Sequence, residues 1–161
     1  MAQPDFHRNQ SSGLVRWIRI GNCICAFLPY SLVALAIRLT IFRTFFLSAQ
    51  TKVDGFSITP STFYLFQHEY ALPFIPYKLA AYMGTLGEFT LSILLLFGLA
   101  TRFAAVGLMA MTLVIQYVYP SAWWSVHIWW LLGLLVLVSK GGGKVSFDYP
   151  LHVRFGTRSR N

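Results

Sequence analysis

Apolar residues fall in four long runs, at about 24–48, 77–99, 103–119 and 122–139. At about 1.5 Å per helical residue, runs of this length suit a bilayer core of about 30 Å. The breaks after the second and third runs, GLATRF and YPSAW, are very short. Runs two and three, and three and four, must therefore be antiparallel neighbours. Pro29 predicts a kink near the start of the first run. Only 52–76 is a long break, with Pro60, Pro73, Pro76 and six aromatics. Within it, SITPSTFYLFQHEY reads as a short amphipathic helix beginning after Thr59 or Pro60. That helix is either an interfacial lid or part of a plain loop lying on the membrane. The expected fold is all-α: an antiparallel bundle of four transmembrane helices with one long external loop between the first two. The bundle occupies 23–140, between basic tails at 1–22 and 141–161.

Composition supports a membrane protein. Hydrophobic residues make up 56% of the chain and charged residues 11%, against about 25% charged in soluble proteins. The net charge of +8 raises nucleic acid as a partner, but the cations sit at the ends of apolar runs and in the tails. That placement fits membrane lipids and excludes nucleic acid as the expected partner. Both tails and the hinge at Arg102 are cation-rich, whereas the long loop sets Lys52 and Lys78 against Asp54 and Glu69. Both termini are thus expected in the cytoplasm, with the long loop and the Trp123–Trp124 pair outside. The N-terminal segment reads as a retained tail, because the apolar run after it exceeds a signal-peptide core. Its 14–20 stretch, with Trp17, is either an interfacial helix or a disordered tail. Cys23 and Cys25 form C-x-C, not a C-x-x-C redox motif, and read as small buried hydrophobes. The KGGGK run fails the phosphate-loop pattern and reads as a helix stop at the inner interface.

Candidate chemistry lies in the polar residues inside the runs. Of five acids, only Glu88 falls in the middle of an apolar run, where an unpaired charge costs several kcal/mol. Ala81, Gly84, Thr85 and Ser92 share its helical face, a small and hydroxyl-bearing stripe that suits packing inside a bundle. Counted from the inner end, Arg38, Arg43, Glu88, Gln116 and His127 all fall from mid-membrane outward. Two readings follow. In one, these residues line an outward-opening pocket. Arg38 and Arg43 hold an anionic or carbonyl head group, Glu88 and His127 exchange protons, and Gln116, Trp123 and Trp124 complete the ligand contacts. In the other, Arg38 and Glu88 form a buried ion pair that sets helix register. No metal site is expected, because His127 has no histidine or cysteine at ligand spacing. Small residues at Gly84 and Gly87, or Gly98, Ala104 and Ala105, suit packing either within the bundle or between protomers of a homo-oligomer.

Four blocks in order resemble the DoxX family of small bacterial membrane proteins. They are the first-span arginine followed by FFLSAQTKVDGF, then AAYMGTLGEFTLSILLLFGLATRFAA, MTLVIQYVYPSAWWSVHIWW, and the ending KGGGKVSFDY. The family's ending resembles R-G-P-G-x-(L/V)-S-x-D. Here Lys140 replaces the arginine and Gly142 the proline, while Ser146 and Asp148 match. The resemblance implies a four-helix bundle in a bacterial inner membrane. It also implies an accessory role in a redox, metal-stress or oxidative-stress system, with protein partners from the same operon. Some relatives are named as subunits of quinone-linked oxidoreductases, which makes quinone the implied ligand and a quinone-linked oxidoreductase subunit the implied enzyme class. The SAQTKV, LFQHEY and VIQYVYP segments look like members found beside peptide-modifying iron enzymes and copper-buffering peptides. The chain has no haem pair, flavin fingerprint or dithiol, so redox chemistry would need a bound quinone or an external partner. The competing class is a small-solute transporter or a docking partner without enzymatic activity.

Overall fold

The computed structural model describes residues 29–150. The interfacial segment at 14–20 and both cysteines lie outside the described residues. Helix α1 runs Tyr30–Gln50, directly behind Pro29. A two-residue-per-strand hairpin follows, with Val53 opposite Ile58 and Asp54 opposite Ser57. Helix α2, Pro60–Leu65, starts as the sequence suggests: Thr59 caps it by accepting the Thr62 N–H, and Pro60 occupies the first turn, where its missing donor costs nothing. The chain then widens into a π-helical turn, Phe66–Tyr70. Helix α3 spans Tyr77–Phe97 and α4 spans Thr101–Val118. A 3-10 turn at Pro120–Ala122 and a second π-helical turn at Trp123–His127 lead into α5, Ile128–Lys140.

Among the described residues, four stretches are long and apolar enough to cross a membrane: Tyr30–Gln50, Tyr77–Phe97, Thr101–Val118 and Pro120–Lys140. Helix α1 packs on α3 and α5, α3 on α4, and α4 on α5, so the helices close a ring. The core contains Ala34, Ile41, Phe45, Leu95, Leu108, Leu134 and Leu137, with Ala104 and Ala105 fully buried where α4 meets its neighbours. Large apolar side chains also cover the outside, among them Leu39, Leu86, Leu113 and Leu132. Such an exterior matches hydrocarbon as solvent. The small residues are used inside the bundle: Gly84 faces the Phe66 ring, Gly87 faces Met111 and Gly107 faces Leu91.

The two ends differ. At one, the hairpin, α2 and the π-helical turn form a lid over α1 and α3. At the other, the segment after α5 folds back as a clasp. Gly141 ends α5 at φ +78. Further along, the Phe147 and Asp148 N–H groups donate to the Phe97 and Gly98 carbonyls. Asp148 then caps α4, accepting the Ala100 and Thr101 N–H groups and the Thr101 hydroxyl, each at 2.7 Å. The cap supports a tight α3–α4 hinge in which Gly98 (φ +67) and Ala100 (φ +45) are both left-handed.

Candidate functional site

Arg38 belongs to the clasp end, which corrects its expected place outward of mid-membrane. Helix α1 begins at Tyr30, so Arg38 sits in its third turn, level with the end of α3. Arg38 is 2% exposed, and its guanidinium donates only to carbonyls. Nε reaches Leu95 at 2.8 Å, Nη2 reaches Leu96 at 2.5 Å, and Nη1 reaches Val145 at 2.6 Å and Gly142 at 3.2 Å. The last carbonyls of a helix have no partner within it, and the fork of guanidinium donors can serve several at once. Gly98 is required here, since a Cβ would stand 2.8 Å from Nη2 and 2.5 Å from the Ser146 Cβ. Arg38 therefore ties α1, α3 and the clasp together, and the ion pair with Glu88 that one of the two readings called for does not form.

Glu88 pairs instead with Lys52, the first residue past the end of α1 and its C-cap. Lys52 Nζ donates to Glu88 Oε2 at 2.6 Å and to Ser48 Oγ at 2.8 Å. Ser48 Oγ in turn donates to Glu88 Oε1 at 3.3 Å. Lys52 is 6% exposed and Glu88 4%. The lid creates this burial. The Lys52 carbonyl accepts the Thr59 N–H at 3.0 Å and the Thr62 hydroxyl at 3.1 Å, which pins the lysine backbone beneath the start of α2. The helical face predicted for Glu88 is present: Ala81, Thr85, Glu88 and Ser92 are all buried. One turn from Glu88, the Thr85 hydroxyl is buried and has no hydrogen-bond partner among the described residues. Unpaired buried hydroxyls are uncommon, and each needs a reason.

A second polar group lies at the lid end. His127 Nδ1 is 2.6 Å from Gln116 Oε1, and Gln116 Nε2 donates to the Pro120 carbonyl at 3.1 Å. The Pro120 contact fixes the amide orientation and its oxygen can only accept, so Nδ1 is the donor to Oε1 and Nε2 carries the lone pair. Trp130 stacks on His127 at 5.3 Å and touches Phe45 at 5.5 Å, one turn along α1 from Ser48. Tyr70 stands at the lid edge, with Phe66 at 4.7 Å and Tyr119 at 6.0 Å. Burial pushes its phenol up to about 12, and Tyr119, Glu88 and Glu69 add to the rise. Tyr119 donates to Glu69 at 3.0 Å, fastening the lid to the end of α4.

The remaining candidates separate. Trp123 and Trp124 stack on each other at 6.4 Å in the π-helical turn, with Trp124 largely exposed. Arg43 faces away from the bundle on the exposed side of α1, not into a pocket. A cleft lined by Tyr30, Arg102, Lys140 and Lys144 opens at the clasp end, far along the bundle from Glu88 and His127. Lys52 and Thr85 are the lid-end residues that sequence reasoning passed over as site members. A serine–lysine pair at i and i+4 across the end of the first apolar run was the available signal for Lys52.

Together these features define a multi-pass α-helical membrane protein with a capped ion pair buried near one end of its bundle. The chain belongs to the DoxX family, whose model matches residues 33–127. That match takes in Arg38, Lys52, Glu88, Gln116 and His127 and stops short of the clasp. Comparison with curated proteins and with solved structures finds no match.

Proposed function

We propose that the chain is an accessory membrane subunit of a redox, metal-stress or oxidative-stress system, and that its lid end binds the head group of a quinone-class molecule. The observation that carries this reading is the Lys52–Glu88 pair, buried under the lid beside the unpartnered Thr85 hydroxyl. A buried ion pair is weak support for stability, since well-packed apolar residues often do as well. Ionisable groups at membrane depth favour a functional site instead. The two π-helical turns at the same end point the same way, because such turns recur at functional sites.

The donors and acceptors fit both redox states of a quinone. Thr85 offers a hydrogen to a carbonyl, while Glu88 and His127 Nε2 offer lone pairs to a hydroxyl; the three Lys52 hydrogens stay with Glu88 and Ser48. A bound quinone would supply two-electron, two-proton chemistry. Ser48 and Lys52 orient the Glu88 carboxylate, Gln116 fixes the His127 tautomer, and the Phe66 and Tyr70 rings limit water entry. Arg38 takes no part in this reading. The clasp end, with Arg102, Lys140 and Lys144, faces the cytoplasm of a bacterial inner membrane in this proposal.

Arg43 favours a second role. Exposed in the middle of a span, its charge is costly unless another group meets it, and a partner helix bearing a carboxylate would do so.

The test is extraction of bound small molecules from detergent-purified protein, read by mass spectrometry. Quinone is expected in the wild type and at much lower occupancy in folded Glu88→Gln. A wild type that carries none would overturn the quinone reading.

A further inference from the structure

The clasp-end cleft has a volume of about 930 Å³ and is built from the ends of several elements. The first turn of α1 brings Tyr30 and Ser31, the first turn of α4 brings Arg102 and Phe103, and α5 ends in Lys140. The clasp closes the fourth side with Gly142 and Lys144.

Two neutral polar groups of its wall are already engaged. Tyr30 donates to the Gly141 carbonyl at 2.6 Å, and Ser31 Oγ accepts the Lys144 N–H at 3.0 Å. Asp148, the one acid on this wall, spends its oxygens on the start of α4. The cations are left over. Arg102, Lys140 and Lys144 are exposed, and none forms an ion pair among the described residues. Their other contacts are weak: Arg102 reaches the Ser139 carbonyl at 3.4 Å, and Lys140 lies 5.5 Å over the Tyr30 ring. The cleft therefore presents three cations on its wall. Beside them the α4 surface is apolar, with Phe103 70% and Val106 52% exposed along one helix face. A cationic rim that borders a lipid-facing apolar strip suits an amphiphile with an anionic head.

We infer that this cleft binds the phosphate of an anionic phospholipid, with Arg102, Lys140 and Lys144 holding the head group and Phe103 flanking the first acyl methylenes. The inference stands apart from the lid-end reading, because it uses the opposite end of the bundle and other residues.

The test is native mass spectrometry of the delipidated full-length protein, titrated with phosphatidylglycerol, phosphatidylcholine or glycerol 3-phosphate. One phosphatidylglycerol per chain is expected, held about tenfold more tightly than phosphatidylcholine. Lys140→Gln combined with Lys144→Gln should abolish most of that preference. Both side chains are exposed, so the fold should persist, and circular dichroism checks that it does. Arg102→Gln provides an independent second variant. Equal retention of the two lipids, or variants that keep the wild-type preference, would overturn the site. Glycerol 3-phosphate bound as tightly as the lipid would overturn the lipid assignment and make a soluble phosphate ester the ligand.

Discussion

Lys52 and Glu88, 36 residues apart in the chain, meet at 2.6 Å with both side chains almost fully enclosed. The lysine comes from the end of α1 and the glutamate from the middle of α3. The lid holds the Lys52 carbonyl through Thr59 and Thr62 while the lysine side chain reaches Glu88. Their union turns a costly lone carboxylate into a neutral pair, and it places two ionisable groups beside the Thr85 hydroxyl.

Removing one partner should therefore cost far more than removing both. Lys52→Met leaves Glu88 buried and unpaired, with an expected loss of about 3–5 kcal/mol. Lys52→Met together with Glu88→Leu should recover most of it. Thermal unfolding in detergent compares the variants. A Lys52→Met protein as stable as the wild type would show that the pair is not buried in the membrane-embedded protein.

Arg38→Lys should loosen the clasp and leave the lid end unchanged. An ammonium is a point charge with three donors, and it cannot reproduce the fork that serves the Leu95, Leu96, Gly142 and Val145 carbonyls. Faster amide hydrogen exchange is expected across 141–149 and at the end of α3. Unchanged protection there would contradict the guanidinium's role as the tie, and faster exchange at Ser48 or Lys52 would contradict its separation from the Glu88 layer.

Tyr70 should titrate late. Its phenol is pushed from 10.0 up to about 12, first by burial and then by Tyr119, Glu88 and Glu69. The fold favours the neutral phenol. The resulting stability is therefore intact below pH 10 and is lost as pH rises toward 12. A phenolate absorbance titration of the folded protein should contain a last component that Tyr70→Phe removes. Tyr70→Phe should also flatten the alkaline fall in stability between those limits. A wild-type titration complete near the ordinary tyrosine value would place Tyr70 in water.

The secondary structure was largely legible because it depends on local terms. Apolar run length marked the spans, Thr59 with Pro60 marked the start of α2, and the glycines after Lys140 marked the end of α5. The face of α3 was legible as well, since a 3.6-residue period places Ala81, Thr85, Glu88 and Ser92 together. That α4 and α5 are neighbours, as the Gln116–His127 contact requires, followed from a hinge too short to let them separate.

Depth and partnership were not legible in the same way. Counting from the start of an apolar run placed Arg38 near Glu88. The helix itself starts later, behind Pro29, and that shift moves Arg38 toward the clasp. No local pattern says that the clasp returns to give Arg38 carbonyls, or that a lysine counted as a loop charge folds under a lid to meet Glu88. The sequence by itself determined a four-span helical membrane protein and which residues share each helix face, because periodicity and hydrocarbon thickness are properties of single segments. Only the tertiary structure decided that Glu88 belongs to Lys52 and Arg38 to the clasp. Those choices depend on how segments far apart in the chain satisfy buried charges and orphaned carbonyls together.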